Sequence, residues 1–150
     1  MARAAYGIEF EGLEELTKSC EDLASVSELA ATNKRVVERG LPALKENMKR
    51  RIPVSVDNSK SGRKSSRPPG HAKDHVPVSA IKTNLTAASA EVGWKLSDTS
   101  SYFYMKFVNW GTTKQPPREF VHSAAEASQA EIIGIAREEY EKLLKTKIGV

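Results

Sequence analysis

The stretch Tyr102–Ala124, YFYMKFVNWGTTKQPPREFVHSA, decides the reading of this chain. A dense apolar and aromatic run, Tyr102 to Trp110, stops at Gly111-Thr112. A polar loop with Pro116-Pro117 follows, and a helical pattern starts at Arg118. The run is rich in residues that favour strands, so it predicts a strand, entered by a helical turn. Its two alternating sets do not separate into apolar and polar faces, which predicts a strand covered on both sides. The chain must end this element and reverse at Gly111, and glycine reaches positive φ without steric cost.

Outward from this stretch, the helical pattern runs through Phe120, Val121, Ala124, Ile132, Ala136, Tyr140 and Leu143. Glu119, Glu126 and Glu131 lie early and Lys142, Lys145 and Lys147 late, an order that suits the helix dipole. Upstream, Val76–Thr83 and Ala88–Lys95 both alternate, with Asn84-Leu85-Thr86 between them, and predict a β-hairpin. At the N-terminal end, Tyr6–Phe10 alternates as a short strand would. Leu13, Leu16, Cys20 and Leu23 form one helix face. Ser25 or Ser27 can cap a second helix with Glu28 in its first turn. Its apolar stripe, from Leu29 to Ile52, is interrupted by Gly40 and Pro42, which predicts a kink or a break. Pro53 ends it. The fold class is α+β, with a small antiparallel sheet of three or four strands packed by N-terminal helices and a long C-terminal helix.

The chain has 150 residues and is 39% hydrophobic, which suits a single domain, 1–150, with one modest core. Residues 55–73 are the compositional outlier: Ser, Gly, Pro and base, with Val56 the one large apolar residue. They read as a long flexible basic loop. Net charge is +4, which permits nucleic-acid contact without arguing for it. Cys20 is the lone cysteine, so no internal disulfide can form and a reducing compartment is expected. The opening residues lack the apolar segment of a signal peptide. No apolar run approaches the roughly 20 residues of a membrane helix. The expectation is a soluble protein made in a cytoplasm, with no membrane partner.

Catalytic and metal chemistry find little support. His71-x-x-x-His75 has the spacing of two ligands on a helix face, but no further pair completes a zinc site. Gly62-Arg63-Lys64-Ser65 resembles the end of a phosphate-binding loop, yet Arg63 separates glycine from lysine and the earlier glycine is absent. Cys20 lies on an apolar helix face, the place of a structural thiol. Glu14-Glu15 and Glu138-Glu139 are sequence neighbours on helices and read as solvated faces. No cofactor is implied and an enzyme is not expected.

From Lys49 to Lys73 the positive residues are Lys49, Arg50, Arg51, Lys60, Arg63, Lys64, Arg67 and Lys73, against Asp57 alone. Such a run can meet an acidic neighbouring subunit, remain solvated, or grip a DNA backbone. Aromatics that stack on bases are missing from it. Subunit contact ranks first and DNA last. The interaction residues expected are Lys60, Arg63, Lys64, Arg67, His71 and Lys73.

Several segments, in order, resemble one family: the siphophage tail-component proteins, the neck or tail-completion proteins of the head–tail connector region. Phe10-Glu11-Gly12-Leu13-Glu14-Glu15-Leu16 is similar to that family's opening. Pro69–Val76 (PGHAKDHV) resembles its Gly-His-Leu-x-Asp-x-Ile segment, with Ala72 and His75 where relatives carry larger apolar residues. Glu91-Val92-Gly93-Trp94 resembles the end of its second strand. Tyr104–Thr112, with Asn109, Trp110 and Gly111, is similar to its Tyr-x-x-x-Val-Glu-Phe-Gly-Thr signature. Arg118-Glu119-Phe120-Val121 resembles its last-helix start. Asn109 replaces the family's acidic residue; if that acid makes an intersubunit salt bridge, a neutral hydrogen bond must stand in for it here.

The resemblance implies a structural virion protein, a subunit of a homo-oligomeric ring, six-fold by expectation, joining the phage head connector to the tail. A long loop and the sheet edges would carry the ring contacts. The partners implied are copies of itself and the connector and tail proteins. The alternative is a basic DNA-binding accessory protein acting through the 49–73 arm.

Overall fold

The structure, a computed structural model, describes residues 14–56 and 70–149. The expected strand at Tyr6–Phe10 and most of the 55–73 loop lie outside the described residues. In chain order the elements are α1 (Glu14–Leu23), α2 (Val26–Arg51), a 3-10 turn (Ala72–His75), β1 (Lys82–Asn84), β2 (Ala87–Ser89), α3 (Met105–Trp110) and α4 (Phe120–Ile148). The layout is α+β: a small antiparallel hairpin beside helices, with the long C-terminal α4 laid against α1 and α2.

A full capping box starts α2. Ser25 Oγ accepts from the Glu28 N–H, and the Ser25 N–H donates to Glu28 Oε2 at 2.8 Å. Two of the four orphan donors of the helix start are thereby satisfied. Lys147, at the far end of α4, pairs with Glu28 at 2.6 Å and ties the two helix ends together. Hydrogen bonds from Lys147 and Ser25 hold the Glu28 carboxyl at about 2. Ser25→Ala removes the cap and should cost about 1 kcal/mol, read as a lower urea midpoint with an unchanged slope. A midpoint equal to wild type would mean that the cap contributes nothing net.

Of the kink or break expected at Gly40 and Pro42, the break does not occur: α2 runs unbroken from Val26 to Arg51 with Pro42 inside it. Proline removes one i→i−4 bond, but most helical stability in a folded protein comes from packing. Here α2 and α4 make the most extensive contact of any two elements. Gly40 is buried at that contact, where an added Cβ would stand 3.4 Å from Ile132 Cγ1. The glycine lets the backbones approach. The helix stops at Arg51, before Pro53, with the Ile52 N–H still bonded to Met48 O.

Two apolar clusters flank this helix pair. One joins Cys20, Leu29, Val36, Ala136, Tyr140 and Leu143 where α1 covers α2 and α4. The other gathers Met48, Ile52, Trp94, Tyr102, Met105 and Phe120 at the opposite end. Ala72 and Val76 are buried in that second cluster, so packing resumes before residue 73, where the sequence reading ended the loop.

The hairpin forms where expected, with shorter strands. Lys82, Thr83 and Asn84 pair antiparallel with Ser89, Ala88 and Ala87, and a single bridge, Val78 to Val92, lies beyond them. Leu85 turns the chain at φ 50°. Asn33 Nδ2 donates to Thr86 O at 2.7 Å and fastens the turn to α2.

The expected third strand at Tyr102–Trp110 is helical, and the sheet among the described residues has two strands. Residues 101–104 form turns and Met105–Trp110 form α3. Tyr102, Met105 and Asn109 are buried while Phe103 and Phe107 are exposed. Those spacings of three and four are a helical period, and burial on one helix face overrides the strand preference of aromatic residues.

Candidate functional site

The segment from Tyr102 to Val121 is built as a brace carrying a surface. Its turning point is Gly111, at φ 75° and ψ 173°. That region is open essentially to glycine alone. An added Cβ there would lie 2.7 Å from Pro117 N and 2.9 Å from Gln115 O, so backbone closes in on this position. Thr112 and Gln115 exchange backbone hydrogen bonds of 2.8 and 3.3 Å across a tight turn. The chain then returns against α3: the Arg118 N–H donates to Val108 O and the Glu119 N–H to Asn109 O, both at 3.1 Å.

Asn109 is the hub of this brace and is 2% exposed. Glu119, which precedes α4, lies in the left-handed region at φ 46° and gives the helix no side-chain cap. Asn109 Oδ1 supplies one from α3, accepting from the Val121 N–H at 3.1 Å. Helix starts favour such acceptors. Asn109 therefore acts inside its own chain, at the start of α4. Its Nδ2 is buried without a partner among the described residues. Phe120 locks the joint from below, edge-to-face with Trp94 at 6.4 Å.

The opposite face of α3 is open. Phe103 and Phe107 are 43% and 46% exposed and meet edge-to-face at 6.3 Å. Lys106 Nζ donates to Leu96 O at 2.7 Å and Asp98 O at 2.9 Å. It lies 5.7 and 5.4 Å from the two ring centroids, within cation–π range. Leu96 itself is 60% exposed. The result is an apolar ridge held in place by one pinned lysine. Behind it the aromatics continue inward: Phe103 meets Tyr104, Tyr104 meets Tyr102, and Tyr102 stacks on His75 at 4.6 Å.

Beside the ridge lies a groove of about 330 Å³, lined chiefly by Leu44, Met48, Val92, Trp94, Trp110 and Val121. Glu91 and Lys95, paired with each other and exposed, also line it. A second cavity of about 510 Å³ lies between α1, α2 and α4, with Asn33, Val36, Ala136 and Tyr140 in its lining. Tyr140 Oη donates to Asn33 Oδ1 there. Burial pushes the Tyr140 hydroxyl up, and likewise the Cys20 thiol, which contacts Tyr140 O at 3.6 Å. A raised thiol is protonated near neutrality and is not poised as a nucleophile.

Of the residues expected from sequence, Tyr104, Asn109, Trp110, Gly111, Thr112, Arg118 and Phe120 are brought together by this brace. Thr112 and Arg118 are exposed on it. Lys60, Arg63, Lys64 and Arg67 lie outside the described residues. His71 flanks the 3-10 turn and Lys73 lies within it, both half-buried. His71 precedes the 3-10 turn in extended backbone while His75 ends it and stacks on Tyr102, so the two do not lie on one helix. Among the described residues no group of three or more metal-ligating side chains converges, and no helix is long and apolar enough to cross a membrane. Sequence reasoning missed the exposure of Phe103 and Phe107. Their spacing of four, offset from buried Met105 and Asn109, was the available signal.

Glu139 is a further correction. Read from sequence as part of a solvated pair, it is 4% exposed, while Glu138 is exposed. Arg35 Nε and Arg39 Nη1 reach it from α2 at 2.9 and 2.6 Å, and Lys142 Nζ from α4 at 3.2 Å.

No protein-family model matches the chain, and no curated protein and no solved structure matches it significantly.

Proposed function

We propose that this chain is a structural virion protein: a neck or tail-completion subunit that forms a ring, six-fold by expectation, between the phage head connector and the tail. It is made in the bacterial host cytoplasm, acts in the virion, uses no cofactor and catalyses nothing. One observation carries the reading, the exposed Phe103–Phe107 ridge on a rigid brace. Each half-exposed ring forfeits about half of the roughly 1.5–3 kcal/mol that full burial of such a side chain gives. A cluster of such side chains on a fixed support marks a surface made to be covered. The ordered segments from Phe10 to Val121 that resemble tail-component proteins support the same reading and name the setting.

The test is a phage carrying Phe103→Asp/Phe107→Asp. Both side chains are already half in solvent, so the fold should survive with near-normal protein levels. Lysates should contain filled heads and separate tails under the electron microscope. Normally joined particles would remove the ridge from the mechanism.

A second reading has its own motive. Lys49, Arg50 and Arg51 form the last turn of α2 and lead straight into the basic run. On that reading the purified protein binds random duplex DNA with a steep salt dependence. Replacing Lys60, Arg63, Lys64 and Arg67 by serine would abolish that binding. If that variant lost DNA while heads and tails still joined, the accessory role would stand instead of the subunit role for this arm.

A further inference from the structure

Two energetic liabilities meet where α3 joins the start of α4. Glu119 sits at φ 46°, a left-handed backbone that few residues other than glycine adopt, and its side chain makes no cap that would compensate. Across the joint, Asn109 Nδ2 is buried with no partner among the described residues. Both costs belong to the closed arrangement alone. Once α3 and the start of α4 separate, the Glu119 backbone can relax and the Asn109 amide can reach water.

The element on which they fall is lightly anchored. α3 has six residues and makes no extensive contact with any other helix or strand, whereas α2 and α4 pack closely on each other. Three hydrogen bonds tie it forward: Arg118 N–H to Val108 O, Glu119 N–H to Asn109 O, and Val121 N–H to Asn109 Oδ1. Two of the three use Asn109 and the third its neighbour, so one movement breaks them all. Gly111 ends α3 and has the dihedral freedom that a hinge uses.

We infer that α3 is a strained latch: it opens from the start of α4 as one unit, ahead of global unfolding, and carries the Phe103–Phe107 ridge with it. The brace is rigid while closed, and the open form is a minor state. Anything that grips the ridge better in one position than in the other shifts this equilibrium, and the first turn of α4 reports the shift. The latch holds whatever covers the ridge, so its failure would leave the ring reading untouched.

The experiment is amide hydrogen exchange of the full-length chain, read by NMR as urea rises below the unfolding transition. The amides of Val108, Arg118, Glu119 and Val121 should converge on one opening event. They should be less protected than those of Ile132 and Ala136, on the buried face of α4. Glu119→Gly relieves the strain and keeps the backbone path. It should slow exchange at the joint roughly 3–30-fold, the strain of such a residue less the added freedom of glycine. Glu119→Asn, a residue enriched in left-handed backbone, should slow it in the same direction without that freedom. The inference falls if the joint amides exchange only through global unfolding, or if each exchanges at its own level. It falls equally if neither variant slows them.

Discussion

Gly111→Ala should lower stability by ~3 kcal/mol, at the upper end for a strained backbone position. For a chain of this size that is a fall of roughly 6–12 °C in melting temperature. Replacing glycine by alanine stiffens the unfolded chain, and by itself this favours folding by about 0.4–1 kcal/mol. The strain must exceed that gain, and three features of the site make it do so. The backbone is at φ 75° and ψ 173°, where an L side chain is excluded. The new Cβ would approach Pro117 N and Gln115 O to under 3 Å. Both neighbours are backbone atoms, and they are held by the Thr112–Gln115 bonds and by the return of the chain onto Val108. Gly134→Ala is the internal control. It lies in α4 with nothing within 4 Å of the added Cβ. Helix propensity then predicts a gain of about 0.8–1 kcal/mol. Calorimetry should move the two variants in opposite directions. Equal melting temperatures for Gly111→Ala and wild type would show that the glycine does not define the brace.

The fold was legible where one local signal acted alone. Ser25 with Glu28 marks a helix start in any context, and the helix begins there. The alternation on either side of Asn84-Leu85-Thr86 gave a hairpin in the right place. The break, one of the two outcomes expected at Gly40 and Pro42, did not occur because proline's local cost is fixed while packing of the Gly40 region against Ile132 and the rest of α4 is not readable from neighbours in sequence. The strand at Tyr102–Trp110 failed for a related reason. Six aromatic or β-favouring side chains outvoted a weaker helical period whose buried members, Tyr102, Met105 and Asn109, include a polar residue. An asparagine reads as exposed until the helix start that it caps is known to lie above it. Gly111 was legible because its role is local: the chain must reverse there, and only glycine fits. The site was half legible. The brace residues stood out by the aromatic run that stops at Gly111 and by resemblance to a family signature, whereas the ridge depended on knowing which face of α3 the core takes.

Glu139 was illegible from sequence, and its removal is the other large effect. Its carboxylate sits on α4 while Arg35 and Arg39 come from α2, about a hundred positions earlier in the chain. Burial raises a carboxyl's pKa, but the hydrogen bonds from Arg35, Arg39 and Lys142 together outweigh it and hold Glu139 at about 2, below its ordinary value of 4.5. The three cations are between two-fifths and two-thirds exposed, so solvent screens part of the attraction. Glu139→Gln should therefore cost about 2 kcal/mol at neutral pH, less than the loss from a fully buried pair. The pH dependence gives the sharper test. A carboxyl whose folded pKa lies below its unfolded one stabilises the fold above the unfolded value and loses that contribution as pH falls through the folded one. The gap between wild type and Glu139→Gln should be full above pH 4.5, shrink between 4.5 and 2, and nearly close below 2. Glu28, also held at about 2, titrates in both proteins and cancels from the difference. Urea unfolding at pH 7, 3.5 and 2 measures the gap. A gap that stays constant with pH would mean that Glu139 acts through shape and hydrogen bonding, with no net contribution from its charge. A closing gap would identify the α2–α4 ion cluster as the electrostatic clamp on the long helix pair, whose far ends line the groove.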